Sequence, residues 1–235
     1  MTQHIIDIME LSKVYNGQTV LQIPALQIRQ GDCIGLVGNN GAGKTTLFSI
    51  LLDLIPVTTG SVLHQGLNAS GSDEWKSWTT AFLDESFLIG YLTPEEFLHF
   101  IAEVRHVEHT QVDLLLEKYQ DFFQGEVLNR GTYIRDLSKG NQKKVGIIST
   151  LIGDPTVIIW DEPFANLDPS TQIRLKHIIK DLTATGEKTM LISSHDLSHT
   201  VDVSSRIIAL ERGRVVKDMA KSDETLPELQ QFFTV

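Results

Sequence analysis

Cys33-Ile34-Gly35-Leu36-Val37-Gly38-Asn39-Asn40-Gly41-Ala42-Gly43-Lys44-Thr45-Thr46 is the stretch that decides the fold. Its opening run is unbroken by charge, as in a strand buried on both faces. Gly38 to Thr45 then fit G-x-x-x-x-G-K-[ST], a phosphate-binding loop when a strand precedes it and a helix follows. Both conditions hold, because Leu47, Ile50, Leu51 and Leu54 continue at helical spacing. Glycines let backbone N–H groups converge on phosphate oxygens, and the helix N-terminus adds its dipole. Lys44 is placed to bridge β- and γ-phosphates, and the Thr45 hydroxyl to ligate Mg²⁺. A bare strand–turn–helix junction has no need of that lysine. At average residue usage a chance match in a chain this long is about one in a hundred.

Upstream, Ile5–Met9 and Val20–Ile28 are β-rich runs, expected to be broken at Asn16-Gly17 and at Pro24. Downstream of Pro155, Val157–Trp160 and Thr189–Ser193 have the composition of buried parallel strands, each followed by a helix start. This alternation predicts a doubly wound α/β core. Between Leu88 and Gly153 the strand signal vanishes. Thr93-Pro94-Glu95-Glu96 is a capping box with proline at the first helical position, ahead of Phe97, Ile101 and Val104. Thr110 and Asp113 open a second helix carrying Val112, Leu115, Leu116 and Tyr119. The expectation is one domain over residues 1–235, with an α/β core at 1–87 and 154–235 and a helical subdomain at 88–153. Residues 223–235 are expected to form a short amphipathic helix without readable chemistry.

The 235 residues carry 20 Lys plus Arg against 30 Asp plus Glu, a net charge of −10. That sign repels duplex nucleic acid, so no nucleic-acid partner is expected. Hydrophobic residues at 41% and charged residues at 21% exclude fibrous and disordered classes. The single cysteine, Cys33, precludes an intrachain disulfide and reads as a small core hydrophobe. No cationic n-region opens the chain and no apolar run approaches a bilayer span, so the expectation is a cytoplasmic protein unless something tethers it. Of the histidines, His4, His64, His99, His106 and His109 are expected at the surface, and Trp75, Trp78 and Trp160 in packing roles.

Val157-Ile158-Ile159-Trp160-Asp161-Glu162 is an apolar strand ending in two carboxylates. In an open parallel sheet that end faces the ligand crevice. Asp161 suits a Mg²⁺ shell, and Glu162 suits orienting and deprotonating water. His195 follows the next strand, where a neutral imidazole donor fits γ-phosphate sensing; a metal role lacks a second ligand at suitable spacing.

Further motifs now carry a resemblance. Leu137-Ser138-Lys139-Gly140-Asn141-Gln142 is similar to the LSGGQ signature of ATP-binding-cassette ATPases. Asn166-Leu167-Asp168 resembles their D-loop, His195 their switch histidine, and Tyr15 the aromatic that stacks on adenine. The motifs stand in family order from about Ile5 to Lys217. The resemblance implies a mixed α/β P-loop cassette with an antiparallel β part and a helical insert. It implies ATP bound by Tyr15 and by Gly38, Asn39, Asn40, Gly41, Ala42, Gly43, Lys44, Thr45 and Thr46. It implies Mg²⁺ at Thr45 and Asp161, and catalysis by Glu162 and His195. Two cassettes would close face to face, so that Ser138, Lys139, Gly140 and Asn141 of one meet the ATP of the other, with Asp168 in the D-loop. The second cassette would be another copy or a relative. The partner implied is an integral membrane permease, which would hold the chain at the cytoplasmic face of the membrane.

Two positions depart from the family. Lys139 and Asn141 stand where glycine and glutamine are usual; Lys139 reads either as a helper at the trans γ-phosphate or as a solvated lysine. The Q-loop glutamine is replaced by Asp84 or its neighbour Glu85, as in some exporter-type cassettes with separately encoded permeases. Asp84 is therefore a candidate for the Mg²⁺ shell as well as a plain loop acid. Phe87, Leu88, Ile89 and Tyr91 either receive a permease helix or fold back into the helical insert. A soluble cassette ATPase, in cluster assembly for instance, is the alternative function. Chromosome-type cassettes would need a long coiled coil that is absent between Gly43 and Leu137.

Overall fold

The computed structural model describes residues 4–234. Two long strands, β1 (His4–Tyr15) and β2 (Gln18–Arg29), form a hairpin. Its turn is Asn16-Gly17, with φ of 51° and 78°, the positive pair that a tight hairpin requires. Contrary to expectation, Pro24 does not break β2. That strand is the outer one of a four-stranded antiparallel sheet, ordered β2, β1, β4 (Thr59–His64), β5 (Leu67–Asn68). Pro24 is exposed on this edge, where a missing N–H costs no ladder bond.

The second sheet has six strands in the order β10 (Arg214–Ala220), β9 (Arg206–Glu211), β3 (Cys33–Val37), β8 (Thr189–Ser194), β7 (Val157–Trp160), β6 (Thr79–Phe82). All neighbours are parallel except β10 with β9. The register aligns Val37 with Ser194 and Phe82 with Trp160. The chain therefore leaves β3, β6, β7 and β8 along one edge of the sheet, and the chemistry collects there. Helix α1 (Lys44–Leu51) follows β3 directly. All the α-helices between β6 and β7 belong to the insert: α2 (Pro94–Val104), α3 (His109–Lys118), α4 (Gln120–Phe123) and α5 (Lys139–Ser149). The capping box at Thr93 forms as expected, with Thr93 and Glu96 exchanging backbone bonds. The remaining helices are α6 (Pro169–Thr183), α7 (Leu197–Val203) and α8 (Thr225–Thr234).

One core lies between the antiparallel sheet, α1 and one face of the large sheet, around Ile6, Leu21, Phe48 and Trp75. A second joins the helical insert to the other face through Phe82, Phe97, Ile147, Trp160 and Leu175. Fully burying each such side chain stabilises by about 1.5–3 kcal/mol. Trp75 and Trp160 pack as expected. Cys33 is a core residue whose Sγ donates to the Val203 carbonyl, and burial pushes its thiol pKa up to about 12. His64 overturns its surface assignment. It is 0% exposed, stacked on Trp75 at 4.4 Å, with Nε2 2.8 Å from the Leu51 carbonyl. Burial lowers its pKa, so the ring packs as a neutral aromatic.

The two sheets are joined by Arg206 and Arg214, which donate to Gln27 O and Gln22 Oε1, and by the backbone of one glycine. Gly213, in the β9–β10 turn, donates its N–H to Ala42 O (2.9 Å) and accepts from Gln22 N (2.7 Å). Its φ is +75°, and a Cβ there would lie 2.2 Å from Val20 O. Only glycine fits.

Candidate nucleotide-binding and hydrolytic site

The loop between β3 and α1 curls because Gly41 and Gly43 take φ of 79° and 106°. Gly38 has no room for a side chain, as a Cβ would lie 2.3 Å from Leu210 O. Lys44 is buried and folds back over the loop to donate to Gly38 O at 2.7 Å. An open pocket of about 390 Å³ is lined by Tyr15, Val20, Asn40 to Thr46 and Glu162. Tyr15 is half-exposed at its rim. Lys13 lies 4.7 Å over the tyrosine ring and donates to Pro56 O (2.6 Å), which steadies the platform.

Asp161 and Glu162 stand at the end of β7. Thr45 Oγ1 donates to Asp161 Oδ2 at 2.5 Å, and Ser193 Oγ donates to Asp161 Oδ1. Burial raises the Asp161 pKa, against the hydrogen bonds from Ser193 and Thr45. The hydroxyl and the carboxylate are hard oxygen donors meeting beside the phosphate loop, which fits Mg²⁺ completed by phosphate oxygens and water. Glu162 has a left-handed backbone, φ 47°, and its N–H donates to Ser193 Oγ at 2.9 Å. Its Oε2 is 2.8 Å from His195 Nδ1, and its Oε1 is 3.7 Å from Lys44 Nζ. Glu162, His195 and Lys44 thus form one connected group.

Asp84 is not drawn into that group. Its carboxylate accepts from Ser86 N at 2.6 Å and caps the short 3₁₀ turn at Glu85–Phe87, the local duty of a plain loop acid. Its neighbour Glu85 points inward to Lys143, 3.5 Å away. Lys143 is 4% exposed and donates to Glu162 O at 2.8 Å. Burial pulls its pKa below the ordinary value, with Glu85 opposing most strongly. Neither Lys143 nor Ser193 nor Gly213 was marked by a sequence motif.

Ser138 caps α5, accepting from Asn141 N at 3.2 Å, and Lys139 is exposed at the first helical position. Gly140 lies under the D-loop, where a Cβ would be 2.6 Å from Asn166 O. Asp168 caps α6 through Ser170 N (3.0 Å) and Thr171 N (3.1 Å). Hydrogen bonds from the Ser170 and Thr171 side chains then hold its carboxyl well below the usual range. The signature and D-loop therefore pack as one surface.

Residues 21–165 match the ABC transporter family. The chain belongs to that family. An uncharacterized ABC transporter ATP-binding protein of Nostoc sp. is 33% identical over 223 residues, covering 92% of this chain and 66% of the relative. A glycine betaine/carnitine/choline transport ATP-binding protein of Bacillus subtilis is 28% identical, covering 92% and 58%. The Nod factor export ATP-binding protein I of Neorhizobium galegae is 26% identical, covering 91% and 61%. The chain thus spans slightly under two thirds of the length of these relatives. Among solved structures, an ATP-binding subunit of an ABC transporter superposes with a TM-score of 0.83 at 25% identity, covering 98% of this chain and 93% of the other. A dimeric ATP-binding cassette in a post-hydrolysis state with ADP and Pi superposes at 0.82 with 21% identity, covering 92% and 99%. The chain has the fold of the ABC ATPase cassette, and among the described residues no helix is long and apolar enough to cross a membrane.

Proposed function

We propose that this ABC cassette binds and hydrolyses MgATP at the interface of two cassettes and powers export through an integral membrane permease. The observation that carries the reading is the connected group Lys44–Glu162–His195 beside the Thr45–Asp161 pair. Lys44 and the loop N–H groups would hold the phosphates, and Tyr15 would stack on the base. When bound, Mg²⁺ would neutralise charge on the phosphate oxygens. Glu162 would take the proton of the attacking water, and His195 would orient that carboxylate and meet the γ-phosphate. The exposed α5 terminus, with Ser138, Lys139, Gly140 and Asn141, would complete the partner cassette's site, so one chain supplies half of each.

Export is supported by the acidic pair Asp84-Glu85 in place of the family glutamine. Phe87 and Tyr91 are 57% and 74% exposed, whereas Leu88 packs into the insert's core. The exposed pair suits contact with a permease helix.

Lys44→Ala should abolish ATP binding. Glu162→Gln should keep binding and lower turnover by roughly 10²–10⁴. With ATP, that second variant should accumulate as a dimer in light scattering. Only monomer at saturating ATP would overturn the self-paired sandwich, and a membrane pull-down lacking any integral membrane protein would overturn the transport role.

A further inference from the structure

A lysine is an expensive residue to place inside a protein, and Lys143 lies within α5, outside the phosphate loop. It lies one turn into α5, below the exposed signature, with its side chain 5% exposed. Its ammonium reaches two other elements. Toward β7 it donates to the main-chain carbonyl of Glu162 at 2.8 Å. Toward the turn after β6 it faces Glu85 Oε1 at 3.5 Å, an ion-pair distance, and that oxygen is buried without a hydrogen-bond partner among the described residues. A turn further along α5, Gly146 lets the Phe82 ring lie against the helix; a Cβ there would be 2.1 Å from the ring.

Glu162 is a non-glycine residue in the left-handed region, a conformation that persists only when its surroundings over-determine it. Its N–H is fixed by Ser193 and its carbonyl by Lys143, so both sides of its backbone are tied. We propose that Lys143 is a positioning residue for hydrolysis: held by Glu85, its ammonium pins the Glu162 carbonyl and so aims the Glu162 carboxylate at the phosphate loop. This rests on Glu162 being the base.

Three variants test it. Lys143→Met strands the Glu85 carboxylate in the interior and should lower the melting temperature. Glu85→Leu combined with Lys143→Met removes both charges and should recover it. Turnover should nevertheless fall about 10²-fold in both, with KM for ATP changed less than threefold, because a misaimed base loses rate without losing phosphate contacts. Glu85→Gln, at the more hydrated end of the pair, keeps the fold if the others do not, and should lower turnover with KM likewise held. Introduced into Glu162→Gln, Lys143→Met should cost nothing further in turnover. A double variant with recovered stability and wild-type turnover, or additive losses in the Glu162→Gln background, would overturn the positioning role. Full turnover in Glu162→Gln alone would instead remove the base assignment beneath it.

Discussion

At the scale of single residues, the phosphate-loop chemistry is legible because it demands particular residue types at fixed spacing. Asn40 to Thr45 and Glu162 line one pocket, with Asp161 bonded to Thr45 and His195 bonded to Glu162. Lys143 escapes such reading, since lysines normally face water and its counter-charge comes from a distant turn. Ser193 escapes because a serine at a strand end advertises nothing, although it bonds both Asp161 and Glu162. Lys139 is exposed at the first position of α5, where it would face the opposing cassette of the proposed pair. Lys139→Gly should weaken ATP-driven dimerisation of the Glu162→Gln protein and make the remainder less salt-sensitive. A change under about 0.5 kcal/mol at low and high salt alike would return Lys139 to the solvated surface.

At the scale of elements, strands β3 and β7 begin and end where their apolar runs do. The hairpin β1–β2 is longer than its composition suggests, because an edge tolerates the proline that a central strand would not. Helix starts are clear wherever a capping residue marks them, as at Thr93, Ser138 and Asp168. The Asp168 cap carries a pH signature. Its carboxyl is held below the ordinary range, so its contribution is complete above the unfolded value near 4 and is lost only as pH falls further. Asp168→Ala should cost about 1 kcal/mol, or roughly 2–4 °C of melting temperature. The difference between wild type and variant should stay level from pH 7 to pH 5 in thermal melts. It should then shrink below about pH 4, and a difference that stays level down to about pH 2 would show an Asp168 carboxyl that is not depressed.

At the scale of the whole molecule, the surface around the turn after β6 is where the proposed membrane partner would dock. Phe87, Ile89 and Tyr91 are exposed there, and the Arg135 guanidinium lies 4.6 Å over Tyr91 and 5.4 Å over Tyr133. Replacing Phe87 and Tyr91 with Ser should leave the melting temperature and basal ATPase unchanged while abolishing co-purification of an integral membrane protein. A lowered melting temperature with partner binding retained would assign these side chains to the insert's own packing. The sequence left that choice open because exposure depends on how the insert folds back, which no local pattern encodes.

The backbone of Gly213 has a consequence for which ligands the proposed site would admit. By tying Ala42 to Gln22 it would set a gauge between the Tyr15 ring and the proposed phosphate cradle. An aromatic ring reads only the flat face of a base, so the gauge selects on reach and is indifferent to base edges. ATP and GTP should therefore compete on nearly equal terms, while ribose triphosphate without a base should bind more weakly by about 1–3 kcal/mol. Gly213→Ala, by prising the two sheets apart, should weaken both nucleotides together and leave ribose triphosphate almost untouched.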